Sequence, residues 1–246
     1  MDRMVYLAMA GAKHALESQQ TITHNLANSD TPGFRADLDS LLSQPVYGPG
    51  HASRVYSLEA RVGSDFREGP VQQTGRELDI AVQGEGWVAV QAEDGTEAYT
   101  RRGDLRLGPG GLLVNGDGRL VLGDGGPVAV PPSEKIEIGE DGTVSVVPVG
   151  QPENALAVVD RIKLVKPGND ALEKGTDGLF RLRDGGPAPA DAGVRLASGA
   201  LEGSNVNAVD GLVQMIDNAR RFEAYVKLMD TAKSNDESSA RLLRQS

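Results

Sequence analysis

The hydrophobic period of this chain is helical at both ends and strand-like between them. From Asn207 to Met229, apolar or small residues recur at Val209, Leu212, Ile216, Ala219, Phe222, Val226 and Met229. Steps of three and four place them on one narrow stripe of a helix. Asn207 supplies an N-cap and Asp210 an acid in the first turn. The opposite face carries Asp217, Arg220, Arg221, Glu223, Lys227 and Asp230 and reads as solvated. A second stripe runs along residues 3–27 through Val5, Ala8, Met9, Ala12, Ala15, Leu16, Gln19, Ile22 and Leu26, its alanines allowing close helix approach. This helix is predicted to stop near Asn28, because Pro32 moves Thr31 out of the α region and Gly33 permits a turn. Stripes this narrow need partner helices, since a lone amphipathic helix buries too little surface to offset its ordering entropy.

Between the helices the pattern is weak at first. Residues 34–79 give little signal, and Pro45, Gly48, Pro49 and Gly50 break what reads as an extended connector. The alternation in LDIAVQGEGWVAVQ (78–91) then predicts two strands joined by a tight turn at Gly84-Glu85-Gly86. Further short strands are predicted at 105–107, 112–114, 120–122, 128–130, 135–138, 143–147 and 156–165. Asn115-Gly116, Asp117-Gly118, Asp124-Gly125 and Asp141-Gly142 supply the turn pairs. The reading is an α+β chain whose N- and C-terminal helices pair as a coiled coil, with a β-rich central domain. Its boundaries fall at 1–32 (first helix), 33–77 (connector), 78–184 (β domain), 185–202 (a Gly/Pro/Ala-rich return linker) and 203–246 (last helix).

Composition narrows the function classes. A net charge of −10 argues against nucleic-acid binding and against attachment to an anionic membrane surface. With no Cys, disulfides, thiol nucleophiles and Cys-ligated zinc are excluded. No run has the length of a membrane span, and Lys13, His14 and Glu17 interrupt the first apolar stretch, so no signal peptide is expected. Gly84-Glu85-Gly86 leads into a strand, and Ala89 stands where a dinucleotide loop has its third Gly. Asp117 and Asp124 suit turns better than calcium, which needs six to eight oxygens. His14 and His24 project about 80° apart on their helix and form no ligand pair. Neither Ser198 nor Ser204 has the strand–turn–helix setting of a nucleophile elbow. The residues support no enzyme, no cofactor and no metal site.

Two segments are more specific. HNLANSDTPGF (24–34) follows the first helix, and EGSNVNAVDGLVQMIDNARRFEAYVKLMDTA (202–232) contains the last. They closely resemble the bacterial flagellar rod and hook family, in the Asn25–Asn28 and Ser204–Asn207 motifs and in Arg220 or Arg221 with Phe222 and Glu223. The β-rich middle is similar too, so the resemblance covers nearly the whole chain. The MDRMVY start, the HNLAN form and the modest length point within the family to a proximal-rod subunit, with a distal-rod subunit as the alternative.

The resemblance implies a non-enzymatic drive-shaft subunit that transmits motor torque. It would self-assemble through Val5, Met9, Leu16, Ile22, Leu26, Leu212, Ile216, Phe222, Val226 and Met229, with Asn25 and Asn28 ending the first helix and bonding neighbouring backbone. The implied partners are copies of itself, other rod subunits and the flagellar type III export apparatus, without membrane insertion. The implied location is the basal-body rod spanning the periplasm, reached without a cleaved signal peptide. Phe34 and Leu38 match the family's export-gate pattern, though packing at a turn accounts for them equally well. A β-domain module binding carbohydrate or calcium, with a helical dimerisation clamp, is the reading from another class.

Overall fold

The computed structural model describes residues 2–45, 55–152 and 155–245. The chain forms two compact units: a helical one from Met1–Ser29, Ala36–Asp65 and Val206–Ser246, and a β-rich one from Asp30–Arg35 and Phe66–Asn205. The α+β class holds.

In the helical unit, α1 (Asp2–Ala27) packs along α2 (Ala208–Gln245). Asn207 caps α2 as its sequence position predicts, its Oδ1 accepting the Val209 N–H at 3.0 Å and the Asp210 N–H at 3.3 Å. At the end of α1 the side-chain amide of Asn28 donates back to the His24 carbonyl at 2.9 Å. One element was not legible. The stretch read as an extended connector contains an antiparallel hairpin, β1 (Asp37–Pro45) with β2 (Val55–Ser64), whose register shifts between Leu38 and Ser40. It lacks an Asn-Gly or Asp-Gly pair, the strongest local hairpin signal. The breakers Gly48, Pro49 and Gly50, and His51, lie outside the described residues.

The strands of the β unit are, in chain order, β3 (Val71–Gln73), β4 (Ile80–Gln83), β5 (Trp87–Gln91), β6 (Glu97–Thr100), β7 (Arg106–Leu107), β8 (Leu113–Val114), β9 (Leu122–Gly123) and β10 (Gly126–Pro127). There follow β11 (Ser133–Ile138), β12 (Thr143–Pro148), β13 (Ala157–Arg161), β14 (Leu164–Val165), β15 (Leu172–Lys174), β16 (Phe180–Leu182), β17 (Arg195–Ser198) and β18 (Ala200–Glu202). Strands β14-β5-β6-β16-β15 form the largest sheet, and β11-β12-β13 another; β4 pairs with β17, and β3 with β18. The unit thus reaches from 66 to 205, beyond the 78–184 suggested by turn spacing. Within the presumed return linker, Ala188 is buried and its N–H donates to the Tyr99 hydroxyl at 2.6 Å.

Turn chemistry was read well at Asp141-Gly142, which closes the β11–β12 hairpin with Gly142 at φ 85. It was misread at Gly84–Gly86. Strands β4 and β5 do not pair with one another, because β4 joins β17 while β5 joins β6 and β14. Gly86, at φ 153, carries the chain between the sheets where the Val194 side chain fills the space a Cβ would take. Alternation along β5 then serves two cores. Val88 and Val90 enter a large aliphatic cluster with Ile80, Leu105, Leu113 and Val121. Trp87 and Ala89 enter a smaller one with Tyr99, Leu172 and Phe180. Both faces of this strand are buried, which explains its unbroken apolar run.

A charge cluster stitches the chain where it enters and leaves the β unit. Glu202, 1% exposed, accepts from Arg35 Nη2 at 2.6 Å, Arg101 Nη1 at 3.0 Å and the Gly69 N–H at 3.0 Å. The Gly33 N–H donates to the Glu202 carbonyl at 2.7 Å. The guanidinium carbons of Arg101 and Arg35 lie 5.4 and 6.0 Å from the Trp87 ring centroid. Burial holds the Arg101 guanidinium below its ordinary pKa, with Arg35 adding to that and Glu202 opposing it. Gly33 sits at φ 68 with the Arg101 carbonyl in the place of its missing side chain. Residues 35, 101 and 202 are remote in sequence, and nothing local marks them as one cluster.

Candidate assembly interface

The helical unit carries two apolar rows with different fates. The inward row of α1 is Ala8, Ala12 and Ala15, all buried, continued by the half-buried Gln19, Ile22 and Leu26. The inward row of α2 is Gly211, Met215, Asn218, Phe222, Tyr225, Met229 and Ala232, every one buried or half-buried. Both advance in alternating steps of three and four, the spacing of a helix–helix seam. Their small residues let the helices approach closely: the Tyr225 ring occupies the space a Cβ on Gly11 would need, and a Cβ on Gly211 would meet Leu26 Cδ1 at 3.8 Å.

The α2 stripe read from hydrophobicity therefore divides. Phe222, Val226 and Met229 are half-buried, but Val209, Leu212, Ile216 and Ala219 are exposed, Val209 at 69% and Ile216 at 55%. Val213 is exposed beside them. Gly211 lies against Leu26, Asn218 against Ala15 and Gln19, and Tyr225 against Gly11, and hydrophobicity alone does not mark those residues. On α1, Val5, Ile22 and Leu26 are half-buried, whereas Met9 and Leu16 point to solvent at 54% and 52% exposure, as do Tyr6 and Leu7. The face assigned to solvent (Asp217, Arg220, Arg221, Glu223, Lys227 and Asp230) is exposed throughout.

The remaining candidate residues have specific partners. Asn25 pairs with the backbone of Asp37 as a neighbouring strand would, its Nδ2 donating to the Asp37 carbonyl and its Oδ1 accepting the Asp37 N–H, each at 2.8 Å. His24 Nδ1 lies 2.8 Å from Asp37 Oδ2. The HNLAN segment thus anchors the start of β1 as well as ending α1. Phe34 lies under the Lys174 ammonium, 4.1 Å from its ring centroid, and Leu38 is exposed. Asp117, weighed above as a calcium ligand, takes Arg102 Nη1 at 2.6 Å. Among the described residues no helix is long and apolar enough to cross a membrane.

Similarity to known proteins identifies the class. Residues 197–242 match the family described as flagellar basal body rod FlgEFG protein C-terminal, and residues 81–146 match the flagellar hook protein FlgE/F/G D1 domain. The chain belongs to the flagellar basal-body rod proteins, a family of structural components of the bacterial flagellum rather than of enzymes.

Within that family it is most like the proteins called FlgF. It is 42% identical to flagellar basal-body rod protein FlgF of Salmonella typhimurium, over the full length of both chains. Identity to the Caulobacter vibrioides FlgF is 30%, covering 94% of this chain and 93% of the relative. The Bacillus subtilis rod protein FlgG is 33% identical, covering 94% and 96%.

Proposed function

We propose that this rod subunit polymerises through the apolar row its own helix pair leaves uncovered, and that it occupies the proximal part of the drive shaft. The observation that carries the reading is the division of labour in the helical unit. One row closes α1 against α2, while Val209, Leu212, Val213 and Ile216 on α2, with Met9 and Leu16 on α1, stay exposed. Large apolar side chains left exposed on one helical unit support an interaction site there. Contacts between copies or homologous subunits would be heterologous, and such an interface propagates along a helix instead of closing. In the assembled state the helix pair continues as a coiled coil with its neighbours, and the stiff product transmits torque across the periplasm. Before assembly the chain is a substrate of the flagellar type III export apparatus, with Phe34 and Leu38 as its gate-recognition pair.

Because the uncovered row lies outside the seam, it can be altered without unfolding the subunit. Leu212→Asp with Ile216→Asp is expected to abolish swimming and remove rods from isolated basal bodies, while the melting temperature of the purified chain stays unchanged. Normal swimming in that double variant would overturn the proposal.

A further inference from the structure

The α1–α2 seam has a register problem, and one polar residue in it solves the problem. Ala8, Ala12 and Ala15 are nearly equivalent on the α1 side, so sliding α2 by a heptad would lay Met215, Phe222 or Met229 over alanines again at little cost. The seam also holds a side chain that apolar packing does not ask for. Asn218 is 7% exposed. Its Nδ2 donates to the Ala15 carbonyl at 2.6 Å and to Gln19 Oε1 at 3.0 Å. After a one-heptad slide Asn218 would face the turn starting at Ala8 or at Ile22. Four residues further on, where Gln19 follows Ala15, stand Ala12 and Leu26, neither with a side-chain acceptor.

We infer that Asn218, through Gln19 and the Ala15 carbonyl, is the positioning residue that fixes the register of the helix pair. The physical basis is asymmetric. A buried amide with both partners is close to neutral, whereas the same amide slid onto the turn at Ala8 or Ile22 meets an equivalent backbone carbonyl but loses its bond to Gln19, with no side-chain acceptor to replace it in a water-poor seam. A polar residue among apolar seam positions thereby rejects wrong alignments more than it strengthens the right one. The Tyr225 ring on Gly11 acts in the same sense by shape. Register matters to a subunit of this kind because it decides which rows of the two helices stand side by side on the uncovered face.

The chain contains no Cys, so engineered pairs report alignment without interference. Leu26→Cys with Gly211→Cys joins the helices in the observed register. Ile22→Cys with Phe222→Cys joins them only after a heptad slide of about 10 Å, beyond the reach of a disulfide. In the parent full-length chain, oxidation is expected to close the first pair and not the second. In Asn218→Leu, the ratio of in-register to slipped cross-link should fall by about tenfold or more, with the melting temperature unchanged or raised. Gln19→Leu should move the ratio the same way, and it serves as the second variant if Asn218→Leu does not fold. An undiminished ratio in these variants would overturn the inference, and so would a lowered melting temperature with the ratio intact, which is the signature of ordinary packing.

Discussion

Replacing Glu202 with Gln removes one charge from the centre of the β unit while keeping the shape of the side chain. Arg35 and Arg101 would remain, 0% and 4% exposed by side chain, with no anion between them. Among the described residues Arg35 Nε, Arg35 Nη1 and Arg101 Nε already lack a hydrogen-bond partner, so the cluster has little slack. Breaking a buried ion pair from one side costs about 3–5 kcal/mol, because the cations stay desolvated and unpaired. At roughly 2–4 °C per kcal/mol for a unit of this size, the melting temperature should fall by about 6–20 °C. Trp87 gives a clean readout, being the single Trp of the chain and stacked near both guanidinium groups. The companion variant Arg35→Met, Arg101→Met, Glu202→Leu replaces the whole cluster with apolar volume and should recover most or all of the loss. A fall of under about 2 °C for Glu202→Gln would refute the claim that the cluster holds the β unit together.

Two further outcomes follow from the β unit. Burial, with Glu97 beside it, pushes the Tyr99 hydroxyl up to about 12; its folded pKa exceeds the unfolded one, so its contribution is complete below pH of about 10 and is lost as pH rises toward 12. Melting temperature across that window should fall less steeply in Tyr99→Phe, which at neutral pH forfeits the bonds to Glu97 and Ala188 and loses about 1–2 kcal/mol; equal alkaline slopes would contradict the assignment. Gly33→Ala forces a left-handed backbone and places a methyl against the Arg101 carbonyl, so the unfolding free energy should drop by about 2 kcal/mol or more, read as a lower denaturant midpoint at unchanged m-value.

What could be read from sequence followed the range of the signal. The two helices, the Asn207 cap and the Asp141-Gly142 hairpin are written in residues a few positions apart. The β1–β2 hairpin lacks a turn pair, and its strands were missed. Gly84-Glu85-Gly86 carries a true turn signal, yet β4 pairs with β17, from Arg195 to Ser198, and β5 pairs with β14 at Leu164 and Val165 as well as with the nearby β6, so local chemistry could not say that the strands part. The same limit hid Arg35, Arg101 and Glu202, which look like three ordinary surface charges until the β unit folds. Gly211, Asn218 and Tyr225 are hidden for another reason: hydrophobicity ranks them low, and their place in the seam depends on Leu26, on Ala15 with Gln19, and on Gly11 opposite.

On the proposed assembly, this placement lets a subunit be both foldable and adhesive. If the aliphatic row of α2 were the one closed against α1, the unit would bury those residues internally and present Met215, Asn218, Phe222 and Tyr225 outside instead. The seam instead sets Met215, Phe222, Tyr225 and Met229 beside Gly211, Asn218 and Ala232, against the row that Ala8, Ala12 and Ala15 begin on α1, so close approach and a directed amide supplement bulk. The large aliphatic residues Val209, Leu212, Val213 and Ile216 are thereby left outside. On the proposed assembly, internal pairing has to set alignment, whereas a contact between subunits would have to hold without covalent help through the exposed aliphatic residues. An arrangement with those roles exchanged would fold more firmly as a monomer and assemble less readily, which gives the distribution of side chains between the two rows its physical sense.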